Sequence, residues 1–463
     1  MAMRNLAKLV KIEAMVRSGE LKRALFPEIG MIESGVRGPA GSTFPPTIVK
    51  SILFILLGLS LFLVSGMAES PSWPQFRGPT GQGFAKGPGP LSWTKDSGIA
   101  WKVKLPARGW SSPVIANGAV ILTGARKEND ATILSAFAID AASGKTLWHT
   151  DLFTPNAEET GAQHAKNSLA SPTSIIEGEI VYVHFGHMGT AALQMRDGKV
   201  IWKNQISYKP MHGNGSSPVI VGDKLVVNAD AEVDPTIVAF NKKDGSIAWR
   251  TPRKQAVKST YSFSTPAVVE TDGHTEIISP GSGLVGAYAP DDGRLLWKVT
   301  YGEGYSVVPR PVVTDGMVFV VTGFSPPKLI AIRLGKAEGD VTQSHVAWEN
   351  NRRMPKTPSL LFTNGQILAL DDTGTLTSLE AKTGTPVWNA KLPGNFSASP
   401  ILTGDTLYAV TEDGVCYVVK ISKDSATIQF ETDLAERSLS SPALLDGALY
   451  LRTEENLWKI TGK

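Results

Sequence analysis

The chain carries eight copies of one residue pattern, spread over residues 99–463. Each copy has a proline, a short apolar run, a tight turn, a second apolar run and a glycine-containing turn, and most copies then have a tryptophan. The repeat prolines are separated by 59, 46, 48, 45, 47, 42 and 42 residues, and they are Pro113, Pro172, Pro218, Pro266, Pro311, Pro358, Pro400 and Pro442. A period in the forties with several short strands per copy predicts a β-propeller.

The first copy divides into four strands. Apolar runs predict strands at Ser112–Ala116, Ala119–Thr123, Ile133–Ile139 and Thr146–Leu152. Asn117-Gly118 predicts the first hairpin turn, because both residues tolerate positive φ. Four antiparallel strands per copy make one blade of an all-β fold.

The tryptophans recur at one phase of the repeat. A glycine precedes the tryptophan by four residues in the pairs Gly144 and Trp148, Gly198 and Trp202, Gly245 and Trp249, Gly293 and Trp297, and Gly384 and Trp388. The fifth copy keeps Trp348 after an insertion, Leu334–Ser344, and the seventh has Phe430 instead. A large aromatic residue at a fixed phase predicts packing between neighbouring blades, since an isolated four-stranded sheet buries too little apolar area.

The last copy has too few strands for a complete blade. Only three strands are predicted after Pro442, ending near Ile460. Ile99–Leu105 carries Trp101 at the same repeat phase, twelve residues before Pro113. We therefore expect this N-terminal strand to join the last blade, which closes the ring, removes both free edges and gives an eight-bladed β-propeller of four-stranded antiparallel blades.

The charge of the chain indicates no nucleic-acid partner. The net charge is +3, but residues 1–68 hold eight basic and four acidic residues, so the remainder carries about −1. Cys416 is the single cysteine, which excludes an intrachain disulfide, and its apolar neighbours predict a core position.

The N-terminal region predicts export. Ile52–Val64 is an almost unbroken apolar run that follows Lys50 and precedes Gly66 and Ala68. It indicates a signal peptide cleaved after Ala68, since thirteen residues are short for a membrane span. An uncleaved membrane anchor is the alternative, and the start of translation stays open. We thus divide the chain into a leader (1–68), an extended segment (69–98) and the propeller (99–463).

The repeat resembles that of the quinoprotein-type, PQQ-like propellers. The matching stretches are Asp140–Trp148, Arg196–Trp202, Lys243–Trp249, Pro290–Trp297 and Ala381–Trp388. One branch of this superfamily consists of pyrroloquinoline-quinone dehydrogenases, and another is non-catalytic and includes the BamB-type outer-membrane assembly lipoproteins. The stretch Trp73–Gly78, which follows the leader, is similar to that of secreted PQQ-like propellers of planctomycete-type bacteria.

The chain departs from both branches. The resemblance to the dehydrogenases implies a vicinal disulfide over the quinone and a calcium held by Glu, Asn and Asp, but Cys416 stands alone and no acidic cluster occurs at the required phase. The BamB pattern implies a lipobox cysteine, and no cysteine follows the apolar run. We expect no cofactor, with pyrroloquinoline quinone and calcium as the alternative.

The candidate binding residues are those that precede each repeat proline, because in a propeller these loops converge on one face around the central channel. They are rich in His, Asn, Tyr and basic side chains, and comprise Trp110, His164, Asn167, His212, Asn214, Tyr261, Tyr305, Arg310, Lys356, Asn395 and Arg437. His184 and His187, at the end of the second predicted strand of the second copy, are candidates as well because they lie near this face. Such a funnel of donors and cations suits a polar or anionic ligand. We predict no metal site, because His184 and His187 form one loose pair without a carboxylate at fixed spacing, and we predict no catalytic residue.

Together these features predict a secreted or periplasmic, monomeric propeller without redox chemistry of its own, associated with the cell envelope. It would bind a protein partner or a small polar ligand at its funnel. A quinone-dependent alcohol-type dehydrogenase that lacks the vicinal disulfide, and a carbohydrate-binding propeller, are the alternatives.

Overall fold

A computed structural model describes residues 71–254, 257–314 and 316–463 of the chain. In these ranges the protein is an eight-bladed β-propeller, as the repeats predict. The predicted leader, with its apolar run 52–64 and its cleavage site at Ala68, lies outside the described residues. Within the described ranges, no helix is long and apolar enough to cross a membrane.

Blades 1 to 4 follow an N-terminal strand, β1 (Ile99–Lys104). Their strands run from the channel outward in chain order. They are β2–β5 (Val114–Ala116, Ala119–Glu128, Ala131–Asp140, Thr146–Phe153), β6–β9 (Ile175–Glu177, Ile180–His184, Thr190–Gln194, Val200–Asn204), β10–β13 (Val219–Val221, Lys224–Ala229, Thr236–Asn241, Ile247–Pro252) and β14–β17 (Ala267–Thr271, His274–Gly281, Leu284–Tyr288, Leu295–Thr300). A short helix, α1 (Ala157–Thr160), and a 3₁₀ turn, Gly186–Met188, lie in the loops of this half.

Blades 5 to 8 follow the same plan, with one insertion. Blade 5 comprises β18–β20 (Val312–Thr314, Met317–Val321, Leu329–Arg333) and β22 (Val346–Asn350), and blade 6 comprises β23–β26 (Leu361–Thr363, Gln366–Leu370, Thr375–Glu380, Pro386–Lys391). Blades 7 and 8 are β27–β30 (Ile401–Thr403, Thr406–Val410, Val415–Ile421, Ala426–Asp433) and β31–β33 (Ala443–Leu445, Ala448–Arg452, Asn456–Ile460). The insertion holds β21 (Gly339–Asp340), which pairs in parallel with β17 of blade 4, and α2 (Thr342–His345).

The ring closes between the two ends of the propeller. Strand β1 pairs antiparallel with β33, with Lys102 opposite Trp458 and Lys104 opposite Asn456. The N-terminal strand is thus the outermost strand of blade 8, and the predicted closure is confirmed.

The tryptophans pack between blades, and each blade's last turn is shaped to receive the tryptophan of the blade before it. A Cβ placed on Gly198 of blade 2 would lie 2.5 Å from Trp148 Cε3 of blade 1, so no side chain fits there. The indole Nε1 of Trp148 donates to the Met195 carbonyl oxygen, 2.9 Å away. Gly144, Gly245, Gly293 and Gly384 meet the tryptophan of the preceding blade in the same way.

Residues 73–93 form a strap across the face at which the innermost strands end, here called the base face; the opposite face, where these strands begin, is the mouth face. Strap backbone atoms pair with the middle residue of the innermost strand in blades 1, 2 and 7, at Ile115, Ile176 and Leu402. Gln82 does the same in blade 5 through its side chain, which accepts from the Val313 N–H at 2.9 Å. The innermost strands have a free backbone edge toward the channel, and the strap covers it in these blades.

Candidate functional site

A belt of hydroxyl side chains runs round the channel where the innermost strands begin. Each blade contributes one residue to this belt. In seven of the eight blades, the backbone N–H of that residue donates to the side-chain hydroxyl oxygen of the corresponding residue in the next blade, over 2.9–3.1 Å. Blade 4 is the exception. The belt hydroxyls belong to Ser112, Thr173, Ser217, Thr265, Ser359, Ser399 and Ser441. The last bond joins Ser441 to Ser112, so the belt passes over the point where the ring closes.

Arg310 occupies the eighth position of the belt, in blade 5. Its backbone N–H donates to Ser359 Oγ at 3.0 Å, as in every other member of the belt except Thr265. Its guanidinium instead turns to the strap, where Nη1 donates to the Phe76 carbonyl oxygen at 2.7 Å and Nη2 to Gln75 Oε1 at 3.2 Å. One position of the belt therefore clamps the strap under the ring.

The belt surrounds a cavity of about 340 Å³ in the centre of the ring. All seven hydroxyl residues line this cavity, although each is buried, and Phe76 of the strap lines it as well. Because the strap crosses the base face, Phe76 contributes to the floor of the cavity. Among the predicted binding residues, the lining includes Trp110, His164, Asn167, His212 and Tyr305.

Five aromatic rings form an arc along one side of the mouth. The centroids of neighbouring rings are 5.6–6.2 Å apart, and most neighbours meet edge to face. In order along the arc, the rings are those of His164, His212, Tyr261, Tyr305 and Phe324. Tyr261 joins the arc through its contacts with His212 and Tyr305. An arc of this kind offers both flat apolar surface and polar edges to a ligand.

Basic side chains complete the mouth. The Lys356 ammonium lies 5.2 Å from the Phe324 centroid, and the Arg437 guanidinium lies 5.6 Å from that of Trp110. Lys166 lines the cavity and pairs with Glu412 at 2.5 Å. The predicted Lys356 and Arg437 are thus placed against aromatic residues of the funnel.

His184, His187 and Asn214 belong to a packed cluster between blades 2 and 3. Tyr208 donates to Asn214 Oδ1 at 2.9 Å, and Asn214 Nδ2 lies 3.2 Å from His187 Nδ1. His184 is 1% exposed, its Nδ1 lies 2.8 Å from Thr190 Oγ1, and burial lowers its pKa to about 3. Its ring is therefore a neutral hydrogen-bonding group in the core rather than a funnel side chain.

Two further predicted residues do not line the central cavity. Arg310 is buried and lines a separate cavity beside the strap on the base face. Asn395 is exposed, and its carbonyl oxygen accepts from the Glu412 N–H at 2.8 Å.

The belt was not among the predicted binding residues, although the sequence carries a signal for it. Ser or Thr stands directly before the repeat proline at Ser112, Ser217, Thr265, Ser399 and Ser441, and directly after it at Thr173 and Ser359. Phe76, Phe263 and Phe324 also line the cavity and were not predicted. Phe76 lies outside the repeats, so no repeat phase could indicate it.

The residues that line the cavity do not fit a calcium-bound quinone. Calcium takes oxygen ligands, largely carboxylates, and no Asp or Glu is among the lining residues. Glu412 contacts the lining residues Lys166 and Ser397 and is held by both. In the described part of the chain, no group of three or more His, Cys, Asp or Glu side chains is arranged to hold a metal ion. Cys416 is buried, and burial raises the pKa of its thiol.

The family profile described as outer membrane protein assembly factor BamB matches residues 91–231, 207–336 and 334–460. The chain is 24% identical over 320 residues to the outer membrane protein assembly factor BamB of Yersinia pestis, covering 66% of this chain and 73% of that protein. It is also 29% identical over 158 residues to the quinohemoprotein alcohol dehydrogenase ADH IIB of Pseudomonas putida, which covers 33% of this chain and 22% of the enzyme.

Two solved structures have the same fold. BamB from Moraxella catarrhalis aligns with a TM-score of 0.55 and 14% identity, covering 78% of this chain and 97% of that one. A europium-containing methanol dehydrogenase aligns with a TM-score of 0.60 and 11% identity, covering 83% and 89%. At such identities the likeness concerns the fold alone, and the family rests on the profile, which spans most of the chain: the chain belongs to the BamB-like family of PQQ-repeat propellers.

Proposed function

We propose that this chain is an exported, non-catalytic scaffold that holds a segment of another cell-envelope protein in its mouth-face funnel. Export rests on the apolar run 52–64 ahead of the propeller. The family description, which names outer membrane protein assembly, supports an envelope location and a protein partner. We expect the scaffold to act as a monomer.

The aromatic arc is the observation that carries this proposal. Tyr261, Tyr305 and Phe324 are half-buried, so part of each ring is covered by the protein and part faces solvent. Aromatic side chains and arginine dominate the binding energy of protein interfaces when they surround a concave site. Here the arc and the Trp110–Arg437 pair border one cavity from two sides.

Site-specific photo-crosslinking tests the funnel as the partner site. A photoreactive residue would replace Tyr261 or Tyr305 in the full chain within its native cells. The matched controls would replace Leu147 and Ile247, which are 52% and 46% exposed on outermost strands. We expect one discrete adduct from the funnel positions that is lost on Trp110→Ala. Adducts from the outer strands alone would overturn the proposal.

A carbohydrate ligand is the second candidate, because Trp110 and Tyr305 line the cavity with half-buried rings beside hydroxyl and imidazole groups. Sugars bind by stacking on such rings while polar groups orient them. Titration of the chain and of Tyr305→Ala with envelope-derived oligosaccharides tests this candidate. Saturable binding that requires Tyr305 would support it, and no binding would remove it.

A further inference from the structure

Each belt hydroxyl oxygen already accepts a hydrogen bond, and most of the belt O–H groups are unused as donors. The oxygens of Ser112, Thr173, Ser217, Thr265 and Ser441 accept a backbone N–H from the preceding blade. No protein acceptor in the described ranges takes their O–H hydrogens, in contrast to Ser399, which donates to Ser359 Oγ at 3.0 Å. A serine or threonine hydroxyl supplies one donor, and the backbone N–H groups orient these oxygens so that the donor is free for the channel.

These free donors converge on a single space. Every one of the five residues is at most 5% exposed, and every one lines the central cavity. Buried donors require acceptors. No Asp or Glu lines this cavity, so its lining offers these donors no carboxylate acceptor. Donors arranged round one axis therefore create a site for a group that accepts hydrogen bonds and donates none.

The charge beneath the floor has the sign that such a group requires. Arg310 contacts the backbone of Phe76, and the nearby Arg77 donates to the Leu360 carbonyl oxygen at 2.6 Å. Both guanidiniums are buried, and in the described part of the chain they donate to backbone carbonyl oxygens and to Gln75 Oε1 rather than to a carboxylate. Burial, together with the charge of Arg310, lowers the pKa of Arg77 to about 9. At neutral pH two positive charges thus lie below the cavity, while the charge of Lys166 at its wall is offset by Glu412.

We infer that the belt binds an anionic group on the channel axis, a carboxylate or an oxyanion, through the O–H hydrogens of its serines and threonines. The inference deepens the proposed function: the anion is either a free ion or an acidic side chain of the segment that the funnel holds. Hydrogen bonds to charged acceptors are about twice as strong as neutral ones, so a few converging hydroxyls suffice for measurable binding.

Calorimetric titration of the full chain tests the inference. The probes are sodium sulfate, a capped Gly-Glu-Gly peptide and, as a neutral reference, a capped Gly-Gln-Gly peptide. Thr173→Val and Thr265→Val remove one belt hydroxyl each at nearly constant shape. The matched control is Thr251→Val, since Thr251 makes an interblade bond to the Gly293 carbonyl oxygen, at 2.7 Å, away from the channel.

We expect saturable one-to-one binding of sulfate that each belt variant weakens about tenfold and the control leaves unchanged. Binding of the Glu peptide, but not of the Gln peptide, would identify an acidic side chain as the source of the anion; sulfate binding alone would identify a free ion. The inference is overturned if neither anion binds, or if Lys166→Met abolishes binding while both belt variants retain it. Crosslinks from Tyr261 that persist in Thr173→Val would then show that the funnel function stands without the anion site.

Discussion

The Arg310 guanidinium donates to the Phe76 carbonyl oxygen across 2.7 Å, and this bond joins the ring of blades to the strap beneath it. Arg310 stands at the belt position where the other blades have a serine or threonine. Its longer side chain reaches the strap and anchors it at the base of the channel. The same guanidinium is buried and also donates to the Pro266 carbonyl oxygen of blade 4 at 3.2 Å. The strap is therefore held by a charged group that is almost fully buried.

Replacing Arg310 by methionine should destabilise the fold by about 1–3 kcal/mol, because the Phe76 and Pro266 carbonyl oxygens lose a buried donor. Hydrogen exchange of residues 73–85 should also rise, since the strap loses its clamp. Urea unfolding and exchange mass spectrometry measure both effects. The control is Arg333→Met on an exposed position of β20. Unchanged exchange in the strap would contradict the assigned role.

Gly198→Ala should destabilise the protein more than Gly178→Ala, although both glycines lie in blade 2 and have positive φ, of 69° and 57°. A Cβ on Gly198 collides with Trp148, whereas a Cβ on Gly178 meets nothing within 4 Å. Both variants strain the backbone by about 1 kcal/mol, and the collision should add about 1–3 kcal/mol. Equal unfolding midpoints for the two variants would show that the interblade contact is unimportant.

Trp93 should contribute as much to the stability of the propeller as a tryptophan of the repeats does. It is 1% exposed, and its ring lies 5.5 Å from that of Phe430, which replaces the tryptophan of blade 7. Trp93→Ala should therefore cost about 3–5 kcal/mol of unfolding free energy. Leu91→Ala, two residues away and 64% exposed, should cost less than about 0.5 kcal/mol. Thermal or urea unfolding distinguishes these outcomes, and a small effect of Trp93→Ala would contradict the packing.

The stability of the protein should fall as the pH drops below about 6.5, partly because of His184. Its pKa is about 3 in the folded chain, so the unfolded state takes up a proton that the folded state does not. The contribution of His184 to the free energy of unfolding is fully present above the pKa that its imidazole has in the unfolded chain. As the pH falls below that value, the contribution is lost at up to about 1.4 kcal/mol per pH unit.

Urea unfolding of His184→Phe at several pH values between 7 and 4.5 measures that contribution. The free energy of unfolding of this variant should depend less steeply on pH than that of the original chain. Val183→Ala is the control, because it removes packing at a buried neighbour without removing a titrating group. The assignment fails if both variants keep the pH dependence of the original chain.

The fold could be predicted from the sequence because every blade repeats the same local information. The prolines, the Asn117-Gly118 type of turn and the spacing of Gly198 and Trp202 recur often enough to give blade number and closure. The repeat could not indicate that the glycine receives the tryptophan of the preceding blade, since spacing along one chain does not identify partners across blades. Trp93 and Phe76 lie outside the repeats and became interpretable only through their contacts.

The funnel was predicted in part, for a physical reason. Residues before each repeat proline do converge, and Trp110, His212 and Tyr305 line the cavity. Whether a polar side chain turns to the channel or to a neighbour depends on packing, which is why His184 is buried and Arg310 reaches the strap. The most regular feature of the site, the belt, consists of small hydroxyl residues whose individual occurrence in a sequence carries little signal.

The most direct test of a non-catalytic propeller is calorimetric titration of the full chain with pyrroloquinoline quinone, with and without calcium, followed by an alcohol-dependent dye-reduction assay. The absence of lining carboxylates and of a second cysteine predicts no saturable binding and no dye reduction under either condition. Calcium-dependent saturable binding, lost in Thr173→Val and accompanied by dye reduction, would contradict the account and make the chain a quinone-dependent dehydrogenase.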